Sequence, residues 1–279
     1  MNMRKTKKMW LVAMVVLACS VFLFCVSSCA TPVSNKLMSN ASPGTSALTL
    51  YRFDGKTTQW KTIYNGKTIT SVLNELDSVS AKQSENWSLQ DIELPVYGLW
   101  IGANDGFSIY VAWSNGYWIS QDGTVYSFDY DFEKLEKDFP WTDEEEYNSF
   151  TLFPNARILS QDENGWNKRM LTPAEELRKP EGISLTLEAW GENTVDVQWI
   201  NTGANEWMFG EPFSLQVLLE GEWYEIPTIS GDWAFTAIGI ILKSEEVLSK
   251  TYNLMSYGDL PSGTYRLVTE GLAVEAVIP

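Results

Sequence analysis

This 279-residue chain has three cysteines, no histidine, and a surplus of carboxylates and indoles, and these set the chemistry open to it. Without an imidazole, neither a Ser-His-Asp nor a Cys-His nucleophile can be assembled, and imidazole metal sites are excluded as well. What remains is carboxylate acid–base work, lysine-based activation, or a hard cation held by oxygen ligands. The 36 acidic residues offer no pair that stands out from the background. Asp129 and Asp131, two apart, would share one face of a continuing strand, but no EF-hand spacing accompanies them and a solvated edge is the expected reading. No metal or cofactor is implied. The aromatic residues are the other resource. Trp113, Tyr117 and Trp118 flank the turn at Ser114-Asn115-Gly116. They could form a stacking platform for a sugar or peptide, or cross-strand pairs that hold a sheet together; the second reading is favoured.

The cysteines are Cys19, Cys25 and Cys29, so nothing beyond residue 29 can form a disulfide. Before them stand Arg4, Lys5, Lys7 and Lys8 with no acid, then an apolar run over residues 9–26 broken only by Ser20. A basic start and an apolar stretch are the layout of an export signal. Val26-Ser27-Ser28-Cys29 resembles the lipobox of bacterial lipoproteins, and that resemblance implies a lipid on Cys29, cleavage after residue 28, and a membrane partner engaged through the lipid. An uncleaved signal anchor and ordinary cleavage near Ala30 are the alternatives, because the run is long enough to span a bilayer. Residues 29–46, rich in Ser, Asn, Thr, Pro and Gly, read as a flexible tether.

Removing residues 1–28 leaves 16 basic against 36 acidic residues, a net charge of −20. Nucleic acid and anionic lipid surfaces would repel such a chain. Solubility outside the cell is the plain reading of this charge, and a cationic partner the functional one.

Residues 47–140 read as a small α+β domain. Strands at 48–53 and 59–64 flank Asp54-Gly55, a hairpin signal. Ile69, Val72, Leu73, Leu76 and Val79 then recur at helical spacing. Four further strands follow at 96–102, 107–113, 117–120 and 124–130, separated by turns that end in glycine. The expected order is β-β-α-β-β-β-β. Residues 141–181 read as an acidic connecting segment, with 143–146 as a solvated loop or first helical turn. Thr172-Pro173-Ala174-Glu175-Glu176 there has the form of a capped helix start.

Residues 182–279 carry dense, short alternating runs, the pattern of a β-sandwich. Trp207-Met208-Phe209-Gly210-Glu211-Pro212, Gly221-Glu222-Trp223-Tyr224 and Tyr257-Gly258-Asp259-Leu260-Pro261-Ser262-Gly263-Thr264-Tyr265 resemble a bacterial immunoglobulin-like domain of secreted and membrane-anchored Firmicutes proteins. Leu260 to Tyr265 is read as a tyrosine corner, with Trp223 available to the core. That resemblance implies an accessory or adhesive module with no catalytic residue to carry over. The expected whole is a small α+β domain followed by an all-β immunoglobulin-like sandwich. Its expected role is that of a non-catalytic lipoprotein on the outer face of the cell membrane, binding a protein, peptide or cell-wall ligand. A regulatory or sensory partner of a membrane signalling protein is the alternative. A carboxylate-based cell-wall glycosidase ranks third, since no domain is large enough for a deep cleft.

Overall fold

Alternation in the first described strands decides the architecture. A computed structural model describes residues 45–103, 108–138, 146–147, 153–162, 165–229, 235 and 238–279. Cys29, the apolar run, most of the tether and residues 143–145 lie outside these. Strands β1 (Thr45–Phe53) and β2 (Thr58–Ile63) form the expected hairpin. Its turn is fixed by Asp54, whose Oδ1 accepts the amides of Lys56 and Thr57, both at 2.9 Å. Helix α1 (Gly66–Asp77) starts where the Asn65 side chain accepts the amides of Lys67 and Thr68, and it buries Ile69, Val72 and Leu76. A carboxamide cap at that position meets helix donors that would otherwise have no partner.

Next come the short strand β3 (Ala81–Gln83) and the meander β4 (Val96–Ala103), β5 (Ser108–Ser114), β6 (Tyr117–Ser120) and β7 (Val125–Phe128). Helix α2 (Phe132–Asp138) and strand β8 (Glu146–Tyr147) complete an eight-stranded sheet, ordered β3-β7-β6-β5-β4-β1-β2-β8 among the described residues. The expected order omitted β3 and β8. These are three and two residues long, too short to carry a periodic signal. Glu146, expected in a solvated loop or helical turn, instead extends the sheet edge opposite Gln59.

Successive side chains alternate across this sheet. One face packs Leu48, Leu50, Leu99, Ile101, Val111 and Trp118 beneath α1 and α2. The other packs Phe53, Val96, Ala112, Ile119 and Val125 against Leu89, Ile92 and the segment Phe153, Ala156, Leu159 and Met170. That segment contains α3 (Ala156–Ser160), β9 (Gln161–Asp162) and β10 (Gly165–Trp166), and β11 (Thr172–Pro173) follows it.

No helix begins at Thr172. Thr172 and Pro173 pair with Glu225 and Tyr224, and the Ala174 amide donates to the Trp223 carbonyl at 2.8 Å. A proline is tolerated on such an outer strand, where its missing N–H leaves no ladder bond unmade. The tertiary pairing overrides a local helix signal.

The C-terminal region is a β-sandwich. Strands β12 (Ile183–Trp190), β13 (Thr194–Asn201) and β18 (Val247–Asn253) make one sheet, ordered β12-β13-β18. The second contains β15 (Ser214–Leu219), β16 (Glu222–Glu225), β19 (Gly263–Thr269) and β20 (Leu272–Ile278), with β11 added at its edge, in the order β11-β16-β15-β19-β20. A separate ribbon of β14 (Trp207–Phe209) and β17 (Ile240–Leu242) adds Phe209 and Leu242 to the core. Between the sheets the Trp199 ring stacks on Phe209 with centroids 4.2 Å apart, and its Nε1 donates to the Tyr252 hydroxyl at 3.3 Å. Trp223 is not the inward residue of its strand. Tyr224 is buried, while Trp223 lies on the outer face under the Arg266 guanidinium, 4.3 Å from the ring centre.

Candidate functional site

Strand register brings together residues that are far apart in the chain. On the second face of the large sheet, the row Thr62, Thr49, Trp100 and Tyr110 crosses β2, β1, β4 and β5; beside it runs the row Trp60, Tyr51 and Gly98. All of these except Gly98 line a groove of about 410 Å³. At its floor the Thr49 and Thr62 hydroxyls are hydrogen-bonded to each other at 2.9 Å, and Thr49 is buried. Tyr51 and Trp60 stand on one side, with ring centroids 6.5 Å apart. Trp100 and Tyr110 stand on the other.

Glycines shape two edges of this groove. At Gly102 a Cβ would lie 2.8 Å from the Trp100 ring, so the indole can settle there only because the side chain is missing. At Gly98 a Cβ would lie 3.0 Å from Phe153 and 3.1 Å from Pro154, which are seated on that gap. Asn155, with φ of 59°, turns the chain into α3 and donates from Nδ2 to the Ile119 carbonyl at 3.0 Å. Phe153, Pro154, Asn155 and Ala156 thus form the third wall, and Thr228 and Ile229 of the sandwich complete it. No Asp, Glu, Lys or Arg is among these described lining residues.

The three aromatics singled out from the sequence fall elsewhere and do not converge. Trp113 and Trp118 face each other across β5 and β6, on the face beneath the helices. Trp118 is 1% exposed and packs on Phe128 at 4.7 Å between ring centroids. Trp113 packs on Phe132 at 4.9 Å and donates from Nε1 to the Phe128 carbonyl at 3.1 Å. Tyr117 points to the opposite face, against the second core. A shared platform is therefore corrected to cross-strand packing. The Asn-Gly turn with φ of 46° and 78° brings the two indoles opposite one another. Asp129 and Asp131 are both exposed, and no group of three or more metal-ligating side chains occurs among the described residues.

Sequence reasoning missed the groove because its aromatics lie on four strands. The available signal was that β1 and β2 carry large residues at both parities. Leu48 and Leu50 face one way, Thr49 and Tyr51 the other, so both faces had to be covered.

The wall of the groove is tied to the sandwich by a second constellation. Arg157, 7% exposed, donates from Nη2 to the Asp259 carbonyl at 2.7 Å and lies over the Trp166 ring, 4.4 Å from its centre. Trp166 Nε1 donates to the Tyr265 hydroxyl at 3.0 Å, and that hydroxyl donates to the Pro261 carbonyl at 2.5 Å. This is the expected tyrosine corner, with an added indole partner from β10. Burial pulls the Arg157 guanidinium down to about 10, against the Tyr265 and Asp259 fields that raise it, so it remains charged at neutral pH. On the other face of the large sheet, burial followed by a 2.8 Å hydrogen bond to Glu136 pushes the Tyr97 phenol well above its ordinary value.

Residues 181–276 match the family model of a bacterial Ig-like domain. Domains of that family are typically surface-exposed and generally non-catalytic, so this part of the chain is similar to a surface-associated module. No curated protein matches the chain. Among the described residues, no helix is long and apolar enough to cross a membrane.

Proposed function

We propose that the protein is a non-catalytic binding protein of the outer cell surface. In this reading it is cleaved after residue 28, held through lipid on Cys29 and a tether to residue 46, and takes its ligand in the aromatic groove of the large sheet. The sandwich beyond about residue 181 serves as the supporting module. The observation that carries the reading is the groove itself. It has two walls of paired aromatic rings and a hydroxyl floor, at a size within the range of about 300–1,000 Å³ common to small-ligand sites. Its described lining lacks the paired carboxylates that glycoside hydrolysis requires, which favours binding over cleavage.

The test is retention of purified residues 30–279 on isolated cell envelopes, compared with a Trp60→Ala, Trp100→Ala double variant. The wild type should be retained and the double variant released; equal retention of both would move the ligand site away from the groove. Mass spectrometry of the native N-terminus tests the anchor, because a retained Met1 defeats lipidation at Cys29.

A further inference from the structure

We infer that the groove is built for a neutral sugar ring of an oligosaccharide. The inference rests on the groove being the ligand site, and it names the chemistry of the ligand. A pyranose has two unlike surfaces, a C–H face and a rim of hydroxyls, and the groove has both complements. Tyr51, Trp60, Trp100 and Tyr110 present rings on which a C–H face can stack. At the floor, one hydroxyl of the Thr49–Thr62 pair donates to the other. The pair therefore keeps a free donor and several lone pairs, and can give or take a hydrogen bond from a sugar hydroxyl. Gln121 and Asn155 add carboxamide oxygens at the rim.

Charge narrows the class. The mature chain carries 16 basic and 36 acidic residues, yet no charged residue is among the described lining of the groove. Three cations adjoin lining residues in sequence: Arg52 and Lys61 alternate onto the opposite face of the sheet, and Arg157 is buried over the Trp166 ring with its Nη2 on the Asp259 carbonyl. An anionic polymer would meet a repelling molecule and no cation in the lining, and a cationic ligand would find no carboxylate there. An uncharged ligand has neither difficulty.

Geometry disfavours an extended peptide. Ladder bonds to both sides occupy the backbone of β1 and β4, and the groove lies on the sheet face rather than along an edge. Strand addition is therefore unavailable there, and a peptide would have to satisfy its amides from a few side chains alone. A sugar needs only stacking and hydroxyl contacts.

The experiment titrates residues 30–279 with xylohexaose, cellohexaose, mannohexaose and chitohexaose, following tryptophan fluorescence and heat. A galacturonate hexamer and a proline-rich decapeptide serve as the anionic and peptide comparisons. At least one neutral oligosaccharide should bind with saturation, about tenfold or more weaker in Trp60→Ala and measurably weaker in Thr62→Val. The valine variant keeps the volume of threonine, so it reads the hydroxyl without disturbing the fold. Binding of the galacturonate or the peptide alone, lost in Trp60→Ala, would overturn the sugar assignment and leave the groove as the ligand site. Neutral-sugar binding unchanged in both variants would overturn the assignment and the groove together. Silence from all six probes would overturn the assignment, with envelope retention still deciding whether the groove binds anything.

Discussion

At the scale of single residues, a polar cluster on the outer face of the second sandwich sheet makes stability depend on pH. Glu225 is half-buried on β16 and accepts from Gln216 Nε2 at 2.6 Å, while Gln216 Oε1 accepts from Arg266 Nε at 2.6 Å. Burial is the largest influence on the Glu225 carboxyl and holds it above the ordinary carboxylate value. The Gln216 hydrogen bond and the Arg266 charge pull the other way without cancelling it. The folded chain thus keeps this proton to higher pH than the unfolded chain does. Its contribution is complete below the unfolded value near 4.5 and is lost as pH rises through the folded one. Glu225→Gln removes the ionisation and keeps the acceptor for Gln216. The Tm of the variant relative to wild type should therefore be more favourable at pH 7 than at pH 4 by scanning calorimetry. An unchanged difference between the two pH values would contradict the assignment.

At the scale of elements, turns carry much of the specification, and two hairpins of the sandwich offer a controlled comparison. Glu220-Gly221 and Glu270-Gly271 both turn with two positive φ values, 52° and 88° in the first and 49° and 76° in the second. A Cβ at Gly221 would meet nothing within 4 Å, whereas one at Gly271 would collide with the carbonyl of Arg178. Gly221→Ala should therefore cost only the left-handed backbone penalty of about 1–2 kcal/mol. Gly271→Ala adds an overpacking cost of about 1–3 kcal/mol, because backbone rather than a flexible side chain must move. Urea denaturation of both variants reads the difference, and equal losses would show that the 178 segment yields freely. Turns of this kind were legible in the sequence, as were α1, the β4–β7 meander and the alternating strands of the sandwich, because each depends on neighbours in the chain. Thr172-Pro173-Ala174-Glu175 was misread because its local pattern suits a helix start equally well. Only the distant edge of β16 decides that it is a strand. The groove was hidden for the same reason: Thr49, Trp60, Trp100 and Tyr110 converge only once the register of four strands is fixed. For Trp113 and Trp118 a platform stayed open beside the favoured cross-strand packing, because alternation shows that two residues share a face, not that a helix covers it.

At the scale of the whole molecule, residues 153–173 act as a joint between the large sheet and the sandwich. Phe153, Leu159 and Met170 are packed into the second core of the sheet, while Leu171 belongs to the core of the sandwich. Arg157 and Trp166 fasten this joint to the 259–265 turn through the Asp259 carbonyl and the Tyr265 hydroxyl. The same joint supplies Phe153 to Ala156 as a groove wall, so the position of that wall depends on contacts made to the sandwich. A planar guanidinium lying on an indole is not replaced by a lysine, whose point charge cannot stack flat and donate sideways at once. Arg157→Ala should lower stability by about 2 kcal/mol through the lost charge-assisted hydrogen bond and ring contact, and Arg157→Lys should recover little of it. Because Arg157 and Trp166 touch, the Arg157→Ala, Trp166→Ala double variant should fall short of the summed single losses by about 0.5–2 kcal/mol in urea unfolding. Additivity within about 0.3 kcal/mol would mean that the two side chains do not act as a unit. The groove wall would then owe its position to the packing of Phe153 and Leu159 alone.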